Sequence, residues 1–324
     1  MKLARIHSAV LSGLTPVLGA IAVGFLELEP LIILFFIGIL THIFGFTFNE
    51  YMDIDIDKRA KHLKNKPLVS GTISEDSAIT FALGAIIIGY VLIVYLIHIL
   101  NSNAMMVVLL YTISWLAIAV YDLTSKSVRG SDLALAVWTG TLCLMGGFAV
   151  TNSPNFLLFI IAGLAFLQLF IQNILAGLKD ISQDKFGSGT TTPIRLGVTI
   201  YRKRLDIPFK FQGFIYSFKF LHLFLVFIPF LLYWLALGFG QLLFILLFIV
   251  LIFYLVHSIF NAKRFQRNLL LRKIGLHEIL SYSIVPVMFF GIIGLIEVIF
   301  LIILPIVWLA VFMKFIYGRL LPNI

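Results

Sequence analysis

LIILFFIGILTHIFGFTFNEYMDIDID, residues 31–57, runs almost wholly apolar from Leu31 to Phe48 and then turns acidic over Asn49 to Asp57. An apolar helix of about 18 residues is long enough to cross the hydrocarbon of a bilayer. Carboxylates at the end of such a run are costly beside lipid and require a partner that offsets them. The same pattern recurs where KDISQD, Lys179 to Asp184, follows a second long apolar run. A divalent cation is the natural partner for both.

Composition sets the class. Hydrophobic residues make up 61% of the 324, charged residues only 12%, and apolar runs of spanning length recur from end to end. The chain reads as all-α, a polytopic transmembrane helical bundle of nine or ten spans. No polar or Pro/Gly/Ser-rich stretch is long enough to hold a second core, so residues 1–324 read as one membrane-embedded domain. The lone Cys143 excludes a disulfide framework and a thiolate metal site. Met1 to Ala22 resembles a signal peptide, but its apolar character continues into Phe25 and Leu26, which favours a retained first span. The spans fall near 9–26, 31–49, 77–99, 104–121, 132–151, 155–178, 213–237, 240–260, 279–296 and 299–316.

A net charge of +9 invites a nucleic-acid partner, yet the 24 basic residues follow topology instead. All lie on one side of the membrane if the last two spans form a hairpin, while the opposite turns carry Glu27 and Glu29. The positive-inside bias makes that side cytoplasmic, in the cell membrane, with membrane lipids rather than nucleic acid as surroundings. Pro286, Pro305 and Glu297 also fit one long kinked span with a re-entrant piece, so nine and ten spans both stand. Tyr201 to Phe218, basic then aromatic, reads as an amphipathic interfacial segment that covers the site.

This topology puts both acidic stretches at cytoplasmic ends, where they can share a site. Asn49, Asp53 and Asp57 recur at i, i+4 and i+8, each step turning only about 40°, so they line one stripe of a helix and Asp55 faces elsewhere. Asn173, Gly177, Asp180 and Asp184 form a similar stripe, with Gly177 leaving room for close approach. Asp184-Lys185 repeats Asp57-Lys58, and the Pro193–Gly197 turn repeats Pro67–Gly71 at nearly the same offset along the chain. Such a shift is the mark of an internal repeat.

Four carboxylates and an amide facing one another would be driven toward protonation without a cation between them. Mg²⁺ suits them better than zinc, since it takes oxygen ligands and keeps positions for water and substrate phosphate. Basic residues crowd the same loops: Lys58, Arg59, Lys61, Lys64 and Lys66 after the first motif, Lys179, Lys185 and Arg195 around the second. Metal and cations together would neutralise a diphosphate. Read singly, most of these cations fit a solvated loop facing lipid headgroups equally well.

These residues resemble the UbiA superfamily of intramembrane prenyltransferases. Asn49, Asp53 and Asp57 match its Asn-x3-Asp-x3-Asp pattern, Asp180 and Asp184 its Asp-x3-Asp, and NKPLVSG (65–71) and DKFGSGTTTPIRLG (184–197) the segments downstream. The resemblance implies a bundle, usually of nine spans, in which the Asp-rich motifs hold Mg²⁺ and bind an isoprenyl diphosphate. Asp53, Asp57, Asp180 and Asp184 become the catalytic metal ligands, helped by Asn49. Lys58, Lys61, Lys179, Lys185 and Lys126 contact the diphosphate beside Asn49. The chain departs from the family in three places: Lys66 replaces the usual Arg, Tyr121 and Lys126 are one residue farther apart than the family's Tyr-x3-Lys, and Ala176 occupies a commonly polar position, with Asn173 a turn earlier.

The implied reaction is transfer of a prenyl group to a lipophilic acceptor. Nine residues separate Asp57 from Pro67, a spacing that resembles the 4-hydroxybenzoate-type members and leans toward an aromatic quinone precursor. A glyceryl phosphate lipid is the alternative acceptor. A secondary transporter with an acidic cation site, or a non-catalytic lipid-binding relative, would also place carboxylates in a bundle, but acids at the cytoplasmic ends beside Pro-Gly loops favour phosphate chemistry. Prenyl chain length and oligomeric state are not encoded in any motif.

Overall fold

The computed structural model describes residues 1–58, 64–125, 128, 130–181, 191–201, 204–262 and 265–318. Apart from one short hairpin it is helical: α1 (Val10–Ala22), α2 (Leu28–Met52), α3 (Ile54–Asp57), α4 (Glu75–Leu100), α5 (Ala104–Thr124), α6 (Asp132–Val150), α7 (Phe156–Gly177), α8 (Thr192–Arg195), β1 (Thr199–Tyr201), β2 (Arg204–Asp206), α9 (Phe209–Leu231), α10 (Phe239–Phe260), α11 (Arg267–Met288) and α12 (Leu295–Tyr317). Among the described residues nine helices, α2, α4 to α7 and α9 to α12, are long and apolar enough to cross a membrane. This is a multi-pass membrane protein. The first expected span is the exception, since the 13 residues of α1 rise only about 20 Å, short of the roughly 30 Å hydrocarbon layer.

The helices fall into two compact units. The first comprises Met1–Leu123, Val137–Leu158 and the C-terminal helix from Leu304 onward; the second comprises Thr124–Ala136 and Phe159–Ile303. In the first, α2 lies against α1 and α4. Nearly every residue of α1 is buried. Glycines set this closeness: a Cβ on Gly38 would overlap the carbonyl oxygen of Ser12, and one on Gly146 that of Pro16. Lipid chains are as apolar as leucine, so intramembrane helices associate through such backbone contact. The outer face of α4 exposes Ile87, Ile88, Val91 and Val94, side chains that a bilayer solvates and water would not.

The second unit is built on a core that joins α7 (Phe170, Ile171, Ile174, Leu175) to Val198, Leu205 and Ile207 of the hairpin segment, to Phe211 and Ile215 of α9, and to α10 and α11. The hairpin pairs Thr199 with Asp206, Ile200 with Leu205 and Tyr201 with Arg204. The single amphipathic segment expected over Tyr201–Phe218 is therefore a strand pair followed by a spanning helix. Val198, Leu205 and Ile207 bury into the core, and Pro208, extended at φ −69°, ψ 155°, caps α9.

Two further expectations move. The ninth span begins at Arg267, not near residue 279, because its polar first half finds partners: Lys273 Nζ donates to Ser258 Oγ at 2.6 Å, and Gln172 Nε2 donates to Glu278 Oε2 at 3.0 Å. Toward the C-terminus the chain forms two helices joined by the turn Phe289–Gly291 and its neighbours, with Pro286 and Pro305 inside the helices, rather than one kinked span.

Candidate active site

In the first unit the helical ladder runs through the acidic motif. Asp53 N donates to the Asn49 carbonyl at 3.0 Å and Asp57 N to that of Asp53 at 2.9 Å, so Asn49, Asp53 and Asp57 do share one stripe. Ile54 fixes which way the stripe faces, being 7% exposed in a cluster with Leu3, Leu68 and Ala78, while Asp55 is exposed. Asp57 is buried, and its Oδ2 receives Lys66 Nζ at 2.6 Å. The same ammonium lies 2.9 Å from Glu50 Oε2, and Arg5 Nη2 holds the other oxygen of Glu50 at 2.7 Å. Burial works against the charge on Lys66, but Asp57 and Glu50 outweigh it and hold its pKa above the usual lysine value. Asn49 Nδ2 donates to Asp122 Oδ1, at the end of α5, at 3.0 Å.

In the second unit the helix stops short of its motif. Beyond Gly177 the backbone tightens to i→i−3 bonds, Leu178 to Leu175, Lys179 to Ala176 and Asp180 to Gly177. Asp180 thus stands in a turn and not on the continuous α-helix that the sequence suggested. At about three residues per turn it still eclipses Gly177. Leu178 and Ile181 bury on either side and anchor that turn. Asp180 meets Lys179 Nζ at 2.9 Å and Arg267 at 3.4 Å. Gly177 leaves room for Pro193, whose Cγ would be 3.3 Å from an added Cβ. Asp132 clamps both flanks of the motif: its Oδ1 receives Asn173 Nδ2 at 2.6 Å and its Oδ2 the hydroxyl of Thr192.

The two Pro-Gly turns share the bond made by their glycine, while the bond to the proline carbonyl comes from the sixth residue after Pro67 and the fifth after Pro193. Gly71 N bonds the Leu68 carbonyl and Ile73 N that of Pro67; Gly197 N bonds the Ile194 carbonyl and Val198 N that of Pro193. Gly71 and Gly197 have φ of 72° and 90°, in the left-handed region that only glycine enters without strain. The shared glycine bond falls at the same distance from its proline in both turns, as the offset between the two sequence segments predicts.

Of the expected diphosphate ligands, Lys58 is turned to Glu75, 3.4 Å away on an exposed surface, and Lys179 lies on its neighbour Asp180. Asp184, Lys61, Lys126 and Lys185 lie outside the described residues. Among the described residues no three carboxylates, imidazoles or thiols converge to hold an ion by themselves. Still, the first motif offers only hard oxygen donors and its Asp57 is already matched to a cation, chemistry that fits Mg²⁺. The sequence reading missed Glu50, Arg5, Arg267, Asp122 and Asp132. Asp122 and Asp132 stood out only as isolated acids near helix ends, whereas Glu50 and Arg267 were hidden among the charges of the 49–57 and 263–273 stretches.

A family model, the UbiA prenyltransferase family, matches residues 10–274. Curated relatives include the digeranylgeranylglyceryl phosphate synthase of Saccharolobus solfataricus, 28% identical over 201 residues that cover 61% of this chain and 68% of that one. Another is the protoheme IX farnesyltransferase of Protochlamydia amoebophila, 28% identical over 169 residues, 50% of this chain and 55% of that one. Among solved structures, a UbiA homolog from Aeropyrum pernix K1 superposes with a TM-score of 0.69 at 16% identity over 89% of this chain and 98% of its own. A homolog from Archaeoglobus fulgidus, bound to GPP and Mg²⁺, superposes with a TM-score of 0.63 at 18% identity over 91% and 100%. At these identities the structures show a shared fold.

Proposed function

The chain belongs to the UbiA prenyltransferase family, and we propose that it transfers a prenyl group from an isoprenyl diphosphate to a lipophilic acceptor in an Mg²⁺-dependent reaction. The observation that carries this reading is the Asn49–Asp53–Asp57 stripe with its buried carboxylate matched to a lysine. The family match runs through both compact units, which supports reading residues 1–324 as one prenyltransferase domain. The sidedness of the basic residues supports placing the Asp-rich motifs on the cytoplasmic face of the cell membrane.

Asp53 and Asp57, helped by the side-chain oxygen of Asn49, would hold metal at the first motif; Asp180 and Asp184 would hold it at the second. When bound, Mg²⁺ offsets the diphosphate charge and so eases its departure. Lys66, kept protonated by Asp57 and Glu50, supplies positive charge beside the first motif, and Lys179 does so beside the second. Lys58, Lys61, Lys126 and Lys185 complete the proposed diphosphate set. The allylic C–O bond breaks, the electron pair leaves with the diphosphate, and the acceptor captures the prenyl cation, losing a proton. Apolar spans keep water from the cation.

The relatives named as digeranylgeranylglyceryl phosphate synthases favour a glyceryl phosphate lipid as acceptor. The nine-residue spacing from Asp57 to Pro67 favours an aromatic one. The test supplies purified protein with geranyl, farnesyl or geranylgeranyl diphosphate and both acceptor classes, with Mg²⁺ or chelator. Metal-dependent diphosphate release that vanishes in Asp53→Ala and Asp180→Ala is expected, and the acceptor that is prenylated decides between the two. No diphosphate binding or release under any pairing would reject the assignment.

A further inference from the structure

Asp122 lies outside both acidic motifs, 73 residues from Asn49, yet it is 8% exposed and takes the Asn49 amide N–H at 3.0 Å. The direction of that bond matters. Asn49 turns its NH₂ group toward Asp122 and donates to Oδ1, so its carbonyl oxygen points away from that carboxylate. The two ends of an amide do opposite work at a metal–diphosphate site: the oxygen ligates a cation, whereas the NH₂ can only donate to phosphate. Whatever sets the amide's orientation therefore sets what Asn49 contributes. Asn49 also shares the helical stripe of Asp53 and Asp57, and its backbone carbonyl receives Asp53 N, so its χ torsions are what the backbone leaves free.

We propose that Asp122 is a positioning residue for the first acidic motif, locking the Asn49 amide so that its oxygen and not its nitrogen is presented with the Asp53 and Asp57 carboxylates. This rests on the reading of that motif as a metal site. The role parallels the outer carboxylates that orient ligating side chains in metal proteins, whose loss typically costs about 10–100-fold in metal affinity. Asp122→Asn is the incisive change, because it keeps shape and hydrogen-bonding capacity but lets both amides pair in either orientation.

Binding of Mn²⁺ to detergent-purified protein, followed by electron paramagnetic resonance without substrate, reads the effect independently of turnover. Asp122→Asn is expected to weaken Mn²⁺ binding about tenfold and to raise by a similar factor the Mg²⁺ concentration that half-saturates transfer, while Asp122→Glu restores part of both. In an Asn49→Leu background, which removes the amide, Asp122→Asn is expected to change metal affinity less than twofold further. An undiminished loss in that background would mean that Asp122 acts through folding and would overturn the proposal, as would wild-type affinity in the Asp122→Asn single variant. Asp53→Ala is expected to lose the Mn²⁺ ion of the first motif and to keep the one held by Asp180 and Asp184; an Asp53→Ala protein that binds as many Mn²⁺ ions as the wild type would overturn the metal-site reading of the first motif, and this inference with it.

Discussion

Lys66 Nζ lies 2.6 Å from Asp57 Oδ2, close enough to neutralise that carboxylate directly. Their side chains are 24% and 10% exposed, so neither is well solvated, and Glu50 holds the lysine from its other side at 2.9 Å. Lys66→Met would leave Asp57 buried without its cation. Breaking such a pair costs several kcal/mol when buried; with this partial exposure we expect about 2–3 kcal/mol, and a melting temperature lower by roughly 5 °C. Mg²⁺ should raise the melting temperature of Lys66→Met more than that of the wild type, because the ion takes over the neutralisation of Asp57. Equal Mg²⁺ shifts in the two proteins would separate Asp57 from the metal site. The pH dependence follows in sign: with its folded pKa raised, Lys66 contributes stability fully below the ordinary lysine value near 10.4 and loses it as pH climbs through the raised value.

The Asp132 clamp makes a separate prediction. Asn173 and Thr192 flank the second motif, and one carboxylate holds both. Asp132→Ala should release the turn that begins at Thr192, seen by hydrogen exchange as faster amide exchange at residues 195–198, whose N–H groups bond within that turn. The 49–57 segment should exchange at its wild-type rate. Transfer activity should fall by at least tenfold through the displaced motif. Unchanged exchange at 195–198 would show that Pro193 against Gly177 suffices to hold the turn.

How much of this the sequence carried depends on the range of the interaction. Most span positions were readable from apolar length, with α1 and the start of α11 the exceptions, and the first acidic stripe was readable because its i→i−4 periodicity is local. The second stripe was readable only in part, since the switch from α to tighter bonds after Gly177 leaves no trace in residue spacing. The start of α11 was misplaced because Lys273 and Glu278 look like loop residues until Ser258 and Gln172 supply their partners from other helices. Asp122 and Asp132 were invisible for the same reason: each acts on a residue far along the chain, Asn49 and Asn173, and neither belongs to a repeating pattern.

Two glycines of similar appearance in sequence should respond oppositely to alanine. At Gly38 the new methyl would overlap the Ser12 carbonyl, a backbone atom that can yield only by separating α1 from α2. Gly38→Ala should cost about 1–3 kcal/mol. At Gly84, within α4, nothing lies within 4 Å of an added Cβ, so alanine removes only glycine's entropic handicap and should stabilise by up to about 1 kcal/mol. Thermal unfolding in one detergent, followed by tryptophan fluorescence, compares the two directly. A destabilised Gly84→Ala would show that an unseen neighbour occupies that face of α4.

Lys219 sits at the middle of α9, fully buried, with its ammonium donating to Ser281 Oγ at 3.1 Å on α11. A lone hydroxyl is a weak counterpart for a lysine side chain within the hydrocarbon region, where ionisable groups are costly. Replacing the lysine by an apolar chain of similar length removes that cost together with the hydrogen bond, so Lys219→Met should be neutral or stabilising by about 1–2 kcal/mol. Ser281→Ala keeps the lysine but strands it, and should destabilise by about 1–3 kcal/mol. Adding Lys219→Met to Ser281→Ala should then recover most of that loss, because no donor is left to strand. Chemical denaturation of the four proteins in mixed micelles closes the cycle. Strong destabilisation by Lys219→Met alone would mean that the ammonium holds an anionic partner in the membrane, and that its burial serves binding as well as packing.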